Sequence, residues 1–583
     1  MPNKLTQFWH ELKRRKVIHV ITVYAGAAFV IIELVNNITG PLRMPEWTPT
    51  LVIILLLIGF PVVAIFSWIY DIHPEEGIVK TESADKVRAE DQPGSSNGWK
   101  IASYISFVVI VGLIVLNILP RTDRKEIPDK SIAILPFRND SPDKENAYFI
   151  NGTMESILNN LSRIKDLRAI SRSSVEKYRD SAVSVPDVAK ELMVSYVLEG
   201  SMQKYGNHIR LTLQLINRND SHVWSEQYDR EIQKVEDYLS LQSEIASLVA
   251  GELQALITPE EHSMIEKVPT SNLSAYDLYL LGNQYLNIAG NEANLLKAID
   301  LYESAIALDP EFALPYEGIG WAYRYLVWHA NWLPAEAFKR SREAVLKALQ
   351  IDDQLAGAHE LLGTIYYEFD WDLKASETEL TRAIELNPNQ ASAYRNLWDL
   401  NLASGRFTRA YKYIQQAVRL DPNNRIYQSE LGESYYAIGE VDSALRYLEE
   451  RGPGSRLGQV YLEIGEYEKS IEVFEELLKR GSQEAYLRTW LGIAYSRVGK
   501  KEKTREQLEI IDSLEGENTS VSFYRAALLA ELGQSDSAFY WLQKTYEERN
   551  QMLFYYKAYK APFASMRSDP RFLELVDRLP SLE

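Results

Sequence analysis

The chain contains no cysteine in its 583 residues. That absence excludes disulfide staples, thiol nucleophiles and zinc–thiolate centres together. Histidine is sparse too, with eight copies scattered at no metal-ligand spacing. Positive charge is in deficit: 63 Lys and Arg stand against 81 Asp and Glu, a formal net charge of −18. A polyanionic chain repels nucleic acid unless it carries a local basic patch. The one dense basic run, Lys13-Arg14-Arg15-Lys16, abuts an apolar segment, so no nucleic-acid partner is expected.

Catalytic signatures are missing as well. There is no phosphate loop of the GxxxxGK[ST] type, no HExxH and no GxSxG. The nearest glycine cluster, Gly452-Pro453-Gly454 with Gly458, falls at a repeat boundary, where glycine serves turns and helix starts. Asp370-Trp371-Asp372 pairs two carboxylates, but in the turn between two repeat helices Asp reads as a helix cap. No catalytic, cofactor-binding or metal residue is therefore nominated, and an enzyme is not expected.

Long apolar runs are few but concentrated near the start. Three segments, about 17–36, 50–71 and 101–119, approach the roughly 20 apolar residues that cross a bilayer. The first carries His19 and Glu33; Glu33 lies about 24 Å along the helix from Val17, near the far headgroups. Counting Lys and Arg on the flanks favours a cytoplasmic leader at 1–16 and export of everything after about residue 120. The expectation is thus a membrane module over 17–120 with three transmembrane helices in the lipid bilayer and a flexible loop at 73–99. A cleaved signal peptide is the other use of the basic run and first apolar segment.

From residue 130 to 258 the pattern becomes α/β. SIAILPF (131–137) reads as a short buried strand. Phe149, Met154, Ile157, Leu158 and Leu161 have helical spacing. LRAI (167–170) is a further strand, a short helix follows near 186–193, and three strand candidates then alternate with Tyr205-Gly206-Asn207 and Arg218-Asn219-Asp220. A long helix near 235–256 closes a small α/β domain with antiparallel hairpins.

Residues 270–550 repeat. ALDP (307–310), ELNP (385–388) and RLDP (419–422) recur at helix ends, with QIDD (350–353) as a degenerate copy. Upstream of them a Leu-Gly-x-x-Tyr theme recurs, as at Leu362-Gly363 with Tyr366 and Leu491-Gly492 with Tyr495. A period near 34 residues with these small and aromatic positions marks tetratricopeptide (TPR) repeats, about seven plus a degraded eighth, in an all-α superhelix. Extra residues in the second repeat, including Trp328, His329, Asn331 and Trp332, are assigned to a loop. Residues 551–583 are taken as a C-terminal cap.

First helices of such repeats line a concave groove. Taking the small residue as site 8, sites 5, 9 and 12 face inward. These are Tyr279, Asn283, Glu317, Trp321, Arg324, Glu360, Tyr367, Arg395, Asp399, Glu433 and Tyr436. Mixed aromatic and charged residues of this kind suit a protein or peptide partner. Homo-oligomerisation is left open.

The stretches SIAILPF, NAYFINGTMESILNNLSRIKDLRAISRSSVEKY and VAKELMVSYVLEGSMQKYGNHIRLTLQLINRNDSHVWSEQYDRE resemble a FlgO-like or TolB amino-terminal-like domain. LKRRKVIHVITVYAGAAFVIIEL resembles the membrane module found before such domains, and APFASMRSDPRFLELVDRL their usual end. The resemblance implies a bacterial inner-membrane protein whose periplasmic TPR groove binds a partner in envelope assembly or sensing. The alternative is a signalling receptor or regulatory subunit relaying periplasmic binding to a separate cytoplasmic effector. Relatives sometimes carry nucleotide-cyclase or winged-helix domains, neither of which is recognisable here, and the family supplies no catalytic residues.

Overall fold

Helix-forming and strand-forming segments separate along the chain as their periodicities require. The computed structural model describes residues 17–39, 48–73, 77–80, 130–142, 146–179, 181–288, 291–330, 332–481, 485–514 and 521–582. They belong to two units, Met1–Glu126 and Ile127–Glu583.

In the first unit, helices α1 (Val17–Thr39) and α2 (Thr48–Ile69) pack against each other, and β1 (Tyr70–His73) pairs antiparallel with β2 (Gly77–Lys80). The Tyr24 hydroxyl donates to the Leu56 carbonyl at 2.7 Å, and its ring meets Phe60 at 5.9 Å. The expectation of three transmembrane helices is corrected here: among the described residues no helix is long and apolar enough to cross a membrane. A span needs about 20 unbroken apolar residues. α1 carries His19 and Glu33 and ends through Asn36-Asn37, while α2 contains Pro61. The third run, 101–119, the leader 1–16 and nearly all of the loop 73–99 lie outside the described residues. With no such helix among the described residues, the inner-membrane and periplasmic placement that rested on three spans is not supported.

The second unit begins with a sheet of order β5-β3-β6-β7-β8, formed by β3 (Ser131–Ile134), β5 (Arg168–Ala169), β6 (Tyr196–Tyr205), β7 (His208–Asn217) and β8 (His222–Glu231), with β4 (Arg138–Asn139) also on β6. β3 runs parallel to β5 and β6, and β6-β7-β8 form an antiparallel meander. Alternation in β7 buries Ile209, Leu211, Leu213 and Leu215 on one face. Tyr205 pairs with His208 across a two-residue turn where Gly206 takes φ +59°, the left-handed geometry that tight hairpins need.

Helices α3 (Ala147–Ser162) and α6 (Val235–Glu252) cover that face. The Phe149 and Tyr238 rings stack at 4.6 Å, and the Thr153 and Tyr238 hydroxyls share a 2.6 Å hydrogen bond. The other face is covered around α4 (Arg172–Val175) and α5 (Val185–Glu191) by Val175, Tyr178, Val188 and Leu192. After α7 (Pro259–Ile265) the α3/α6 core runs without a break into the first repeat through Tyr276, Leu280 and Phe312.

Eight helix pairs follow among the described residues. They are α8 (Leu273–Asn287) with α9 (Glu292–Leu308), α10 (Ala313–Ala330) with α11 (Pro334–Ile351), α12 (Ala356–Ile365) with α13 (Leu373–Leu386), and α14 (Ala391–Ala403) with α15 (Phe407–Leu420). Next come α16 (Arg425–Ala437) with α17 (Val441–Glu449), α18 (Ser455–Glu463) with α19 (Tyr467–Lys479), α20 (Ala485–Arg497) with α21 (Lys501–Ser513), and α22 (Ser522–Glu531) with α23 (Ser535–Glu547). A last short helix, α24 (Pro570–Asp577), packs on α23.

The small positions admit large neighbours: a Cβ on Gly282 would meet the Tyr302 ring at 2.5 Å, and one on Gly320 the Leu361 side chain at 2.6 Å. Asp372 caps α13 by accepting from Ala375 N. The extra residues of the second repeat do not form a loop, because Trp328 and His329 extend α10 by another turn; Asn331 lies outside the described residues.

Candidate functional site

Three features converge on the repeat array: polar rungs between first helices, a docking edge for the α/β domain, and an aromatic segment from the C-terminal end.

The rungs use the inward residues. Arg324 donates twice to Glu368 of the next repeat, at 2.7 and 3.1 Å, with its guanidinium 5.5 Å from the Trp321 ring centre. Glu360, 2% exposed, accepts from Gln390, Ser392 and Asn396 one repeat on. Arg395 pairs with Glu430 at 2.7 Å and with Asp399 at 3.5 Å. Arg456 reaches back to Glu433 at 2.8 Å. Burial pushes the Glu360, Glu430 and Glu433 carboxyls up, and the facing arginines pull the latter two back.

Tyr279 and Asn283 are absorbed into packing. Tyr279 sits among Tyr276, Tyr302 and Phe312, and Asn283 accepts from the Tyr302 hydroxyl at 2.7 Å. Glu317 differs from the other acids. Among the described residues it has no cation within ion-pair distance, and burial together with Glu360 pushes its carboxyl up to about 7.

Along one edge, successive inter-repeat loops hold the α/β domain. Thr270 donates to Asp309, Lys267 pairs with Asp352 at 2.6 Å, and Asn389 bridges the Ala169 N–H and the Ser162 carbonyl. Ser173 and Ser174 both donate their hydroxyls to Asp421, which is 2% exposed. These loops contain the ALDP, QIDD, ELNP and RLDP copies, so the repeated turn also serves as a row of contacts.

Residues 549–566 lie against the inner positions of the later repeats. Phe554 meets Tyr367 at 6.0 Å and Trp371 at 4.9 Å; Tyr559 meets Tyr436 at 6.4 Å and Trp490 at 5.3 Å. Tyr555 donates to Asp399 at 2.7 Å, and the Lys560 and Ala561 N–H groups donate to Glu463 at 3.0 and 2.6 Å. Arg549 donates to the Phe369 carbonyl at 3.2 Å. Four of the residues selected by repeat register, Tyr367, Asp399, Glu433 and Tyr436, therefore belong to one seat. Sequence reasoning missed its occupant. The available signal was the aromatic density of Met552 to Phe563 in a stretch without helical periodicity.

The α/β domain has a cavity of about 670 Å³ beyond the carboxyl end of β3, lined by Phe137, Ile150, Asn151, Arg179 and Glu199 among others. Its arginines are engaged at home, Arg138 with Asp140 and Arg179 with Glu176. No group of residues suited to hold a metal ion occurs among the described residues.

The array is a set of tetratricopeptide repeats: repeat profiles match residues 372–424, 399–455 and 455–480. Residues 128–248 match the HilA/YgeH-like transcriptional regulator second domain, whereas the FlgO-like or TolB-like resemblance is not supported. “Putative adenylate cyclase 3” of Rhizobium meliloti (strain 1021) is 32% identical over 196 residues, 33% of each chain. “Transcriptional regulator HilA” of Salmonella typhimurium is 23% identical over 330 residues, 55% of this chain and 56% of that one. The chain thus spans a third to about half of the length of these relatives. Among solved structures, yeast Tom70 is similar over 59% of this chain and 82% of its own, at 13% identity and TM-score 0.34. YrrB, a TPR protein with an unusual peptide-binding site, is similar over 30% and 86%, at 22% identity and TM-score 0.23.

Proposed function

We propose that this chain is a non-enzymatic scaffold that binds a protein or peptide partner along the inward face of its first helices. TPR arrays serve as protein–protein interaction scaffolds, and this chain carries such an array. The observation that carries the reading is the seat described above, where register-selected side chains hold a turn-rich, aromatic segment as a groove holds a peptide. The α/β domain, fixed along the loop edge, orients that face and does not occupy the seat.

A photo-cross-linking amino acid at Trp321 should give a discrete adduct in cells, whereas one at Val223, exposed on β8, should not. Equal labelling from both positions, or none from Trp321, would count against the groove.

A second reading, a regulatory subunit acting on a separate effector, is favoured by the match of residues 128–248 to a domain of transcriptional regulators. In that case the Trp321 adduct would contain the effector itself.

A further inference from the structure

The segment 549–566 is held differently from the helices around it. Its flanking helices α23 and α24 pack together and are tied by Arg571 to Asp536 at 2.8 Å and Arg578 to Gln543 at 2.7 Å. The intervening stretch is a closed excursion into the groove, with one 3₁₀ turn at Gln551–Tyr556.

The seat is also poorly satisfied. Among the described residues, Trp371 Nε1, Gln551 Oε1 and Arg567 Nε at this contact are buried polar atoms without a hydrogen bond. Glu433 is already engaged, by Arg456 at 2.8 Å and by the Tyr559 hydroxyl, so Trp371 Nε1 is the groove's own donor that the segment leaves without an acceptor. Folded cores leave few such groups, and each costs desolvation energy that a better-matched occupant recovers. The apolar side is the opposite: Leu553, Phe554, Tyr559, Phe563 and Met566 are all buried. Good ring burial with poor polar pairing describes an exchangeable ligand better than a fixed core.

We propose that residues 549–566 are an internal ligand of the groove, and that the partner is a peptide of the same chemistry which displaces them. Such a peptide presents two aromatic rings, one to the Tyr367–Trp371 shelf and one between Tyr436 and Trp490. A phenol or other donor meets Asp399, and backbone N–H groups meet Glu463. It gains over the internal segment by placing an acceptor, a carbonyl or carboxylate oxygen, against Trp371 Nε1, which the internal segment leaves without one. Because the internal segment is tethered at both ends, its effective concentration is on the order of millimolar. A short mimic therefore binds weakly to the intact chain, and a physiological partner must add contacts toward Trp321 and Arg324. The inference rests on the groove reading above.

The test uses the full chain. Hydrogen exchange followed by mass spectrometry should show the amides of 551–561 opening at least ~10-fold more often than those of α14 and α16. A fluorescein-labelled peptide of sequence 549–566 is then titrated against the wild type, Tyr559→Ala, and Tyr559→Ala with Asp399→Asn. Weakening the internal ligand should raise peptide affinity at least ~10-fold, and losing Asp399 should abolish the gain. Segment amides that exchange only together with α14 and α16 would make the segment a permanent plug and overturn the proposal, as would absence of the affinity gain in a folded Tyr559→Ala chain. In that event a discrete Trp321 adduct keeps the groove reading, confined to the first three repeats; no adduct removes both.

Discussion

Tyr555 donates its hydroxyl to Asp399 Oδ1 across 156 residues of sequence, at 2.7 Å. The same carboxylate receives the Tyr367 hydroxyl at 3.4 Å and faces Arg395 at 3.5 Å, so one acid on α14 joins the fourth repeat to its neighbour and to the C-terminal segment. Hydrogen bonds to charged acceptors contribute about 1.5–3 kcal/mol each. Tyr555→Phe removes one donor while Arg395 still neutralises Asp399, so a loss of about 1–2 kcal/mol is expected in urea unfolding. Combined with Asp399→Asn, the two losses should be less than additive. Full additivity would show that the bond contributes nothing.

The rung between Arg395 and Glu430 predicts a larger effect. Glu430 is 2% exposed, and Arg395 is its one cation within ion-pair distance among the described residues. Arg395→Ala leaves a buried carboxylate unpaired, which costs about 3–5 kcal/mol. Arg480→Ala, at an exposed pair with Glu476, should leave unfolding unchanged within error. Similar losses for the two variants would mean that the rungs behave as surface pairs.

Asp421 predicts how firmly the α/β domain is held. Its carboxylate accepts both the Ser173 and Ser174 hydroxyls, and the adjoining Leu420 carbonyl accepts from Ser171 N at 2.9 Å. Asp421→Ala should cost about 2–3 kcal/mol and raise hydrogen exchange in residues 168–178 before it affects α14. Exchange that rises uniformly over the repeats would place the contribution of Asp421 within the array instead.

The repeat helices were readable from local rules: a small residue facing a large one, a period near 34, and an Asn or Asp cap at some helix starts. Gly282 against Tyr302 and Asp372 over Ala375 follow from such spacing. What was not readable depends on distance in sequence. Repeat register selects side chains by position, yet spacing cannot show that Arg395 meets Glu430 or that Asp399 meets Tyr555. Those partners are chosen by the superhelical path and not by neighbours in the chain. The apolar runs misled for a related reason. Composition alone weighs Val17–Val35 and Thr50–Tyr70 as spans, but among the described residues neither helix is long and apolar enough to cross a membrane.

Glu317 gives the array a pH dependence. Burial and the neighbouring Glu360 raise its carboxyl to about 7; Asp352 adds to the effect, while Trp321 and Arg163 oppose it. Tyr279 and Tyr302 feel the same charge, and burial holds both phenols neutral. A folded-state value above the ordinary 4.5 means that the folded chain holds a proton which the unfolded chain has released. The contribution is therefore fully present below about pH 4.5 and is lost as pH rises to about 7, after which it is flat. Glu317→Gln removes this slope. Measured by urea unfolding, the difference between wild type and variant should move by about 2 kcal/mol in favour of the variant from pH 5 to pH 8. Parallel curves for the two proteins across that range would show that Glu317 ionises as an ordinary carboxylate, and the unpaired acid in the groove would then be fully solvated.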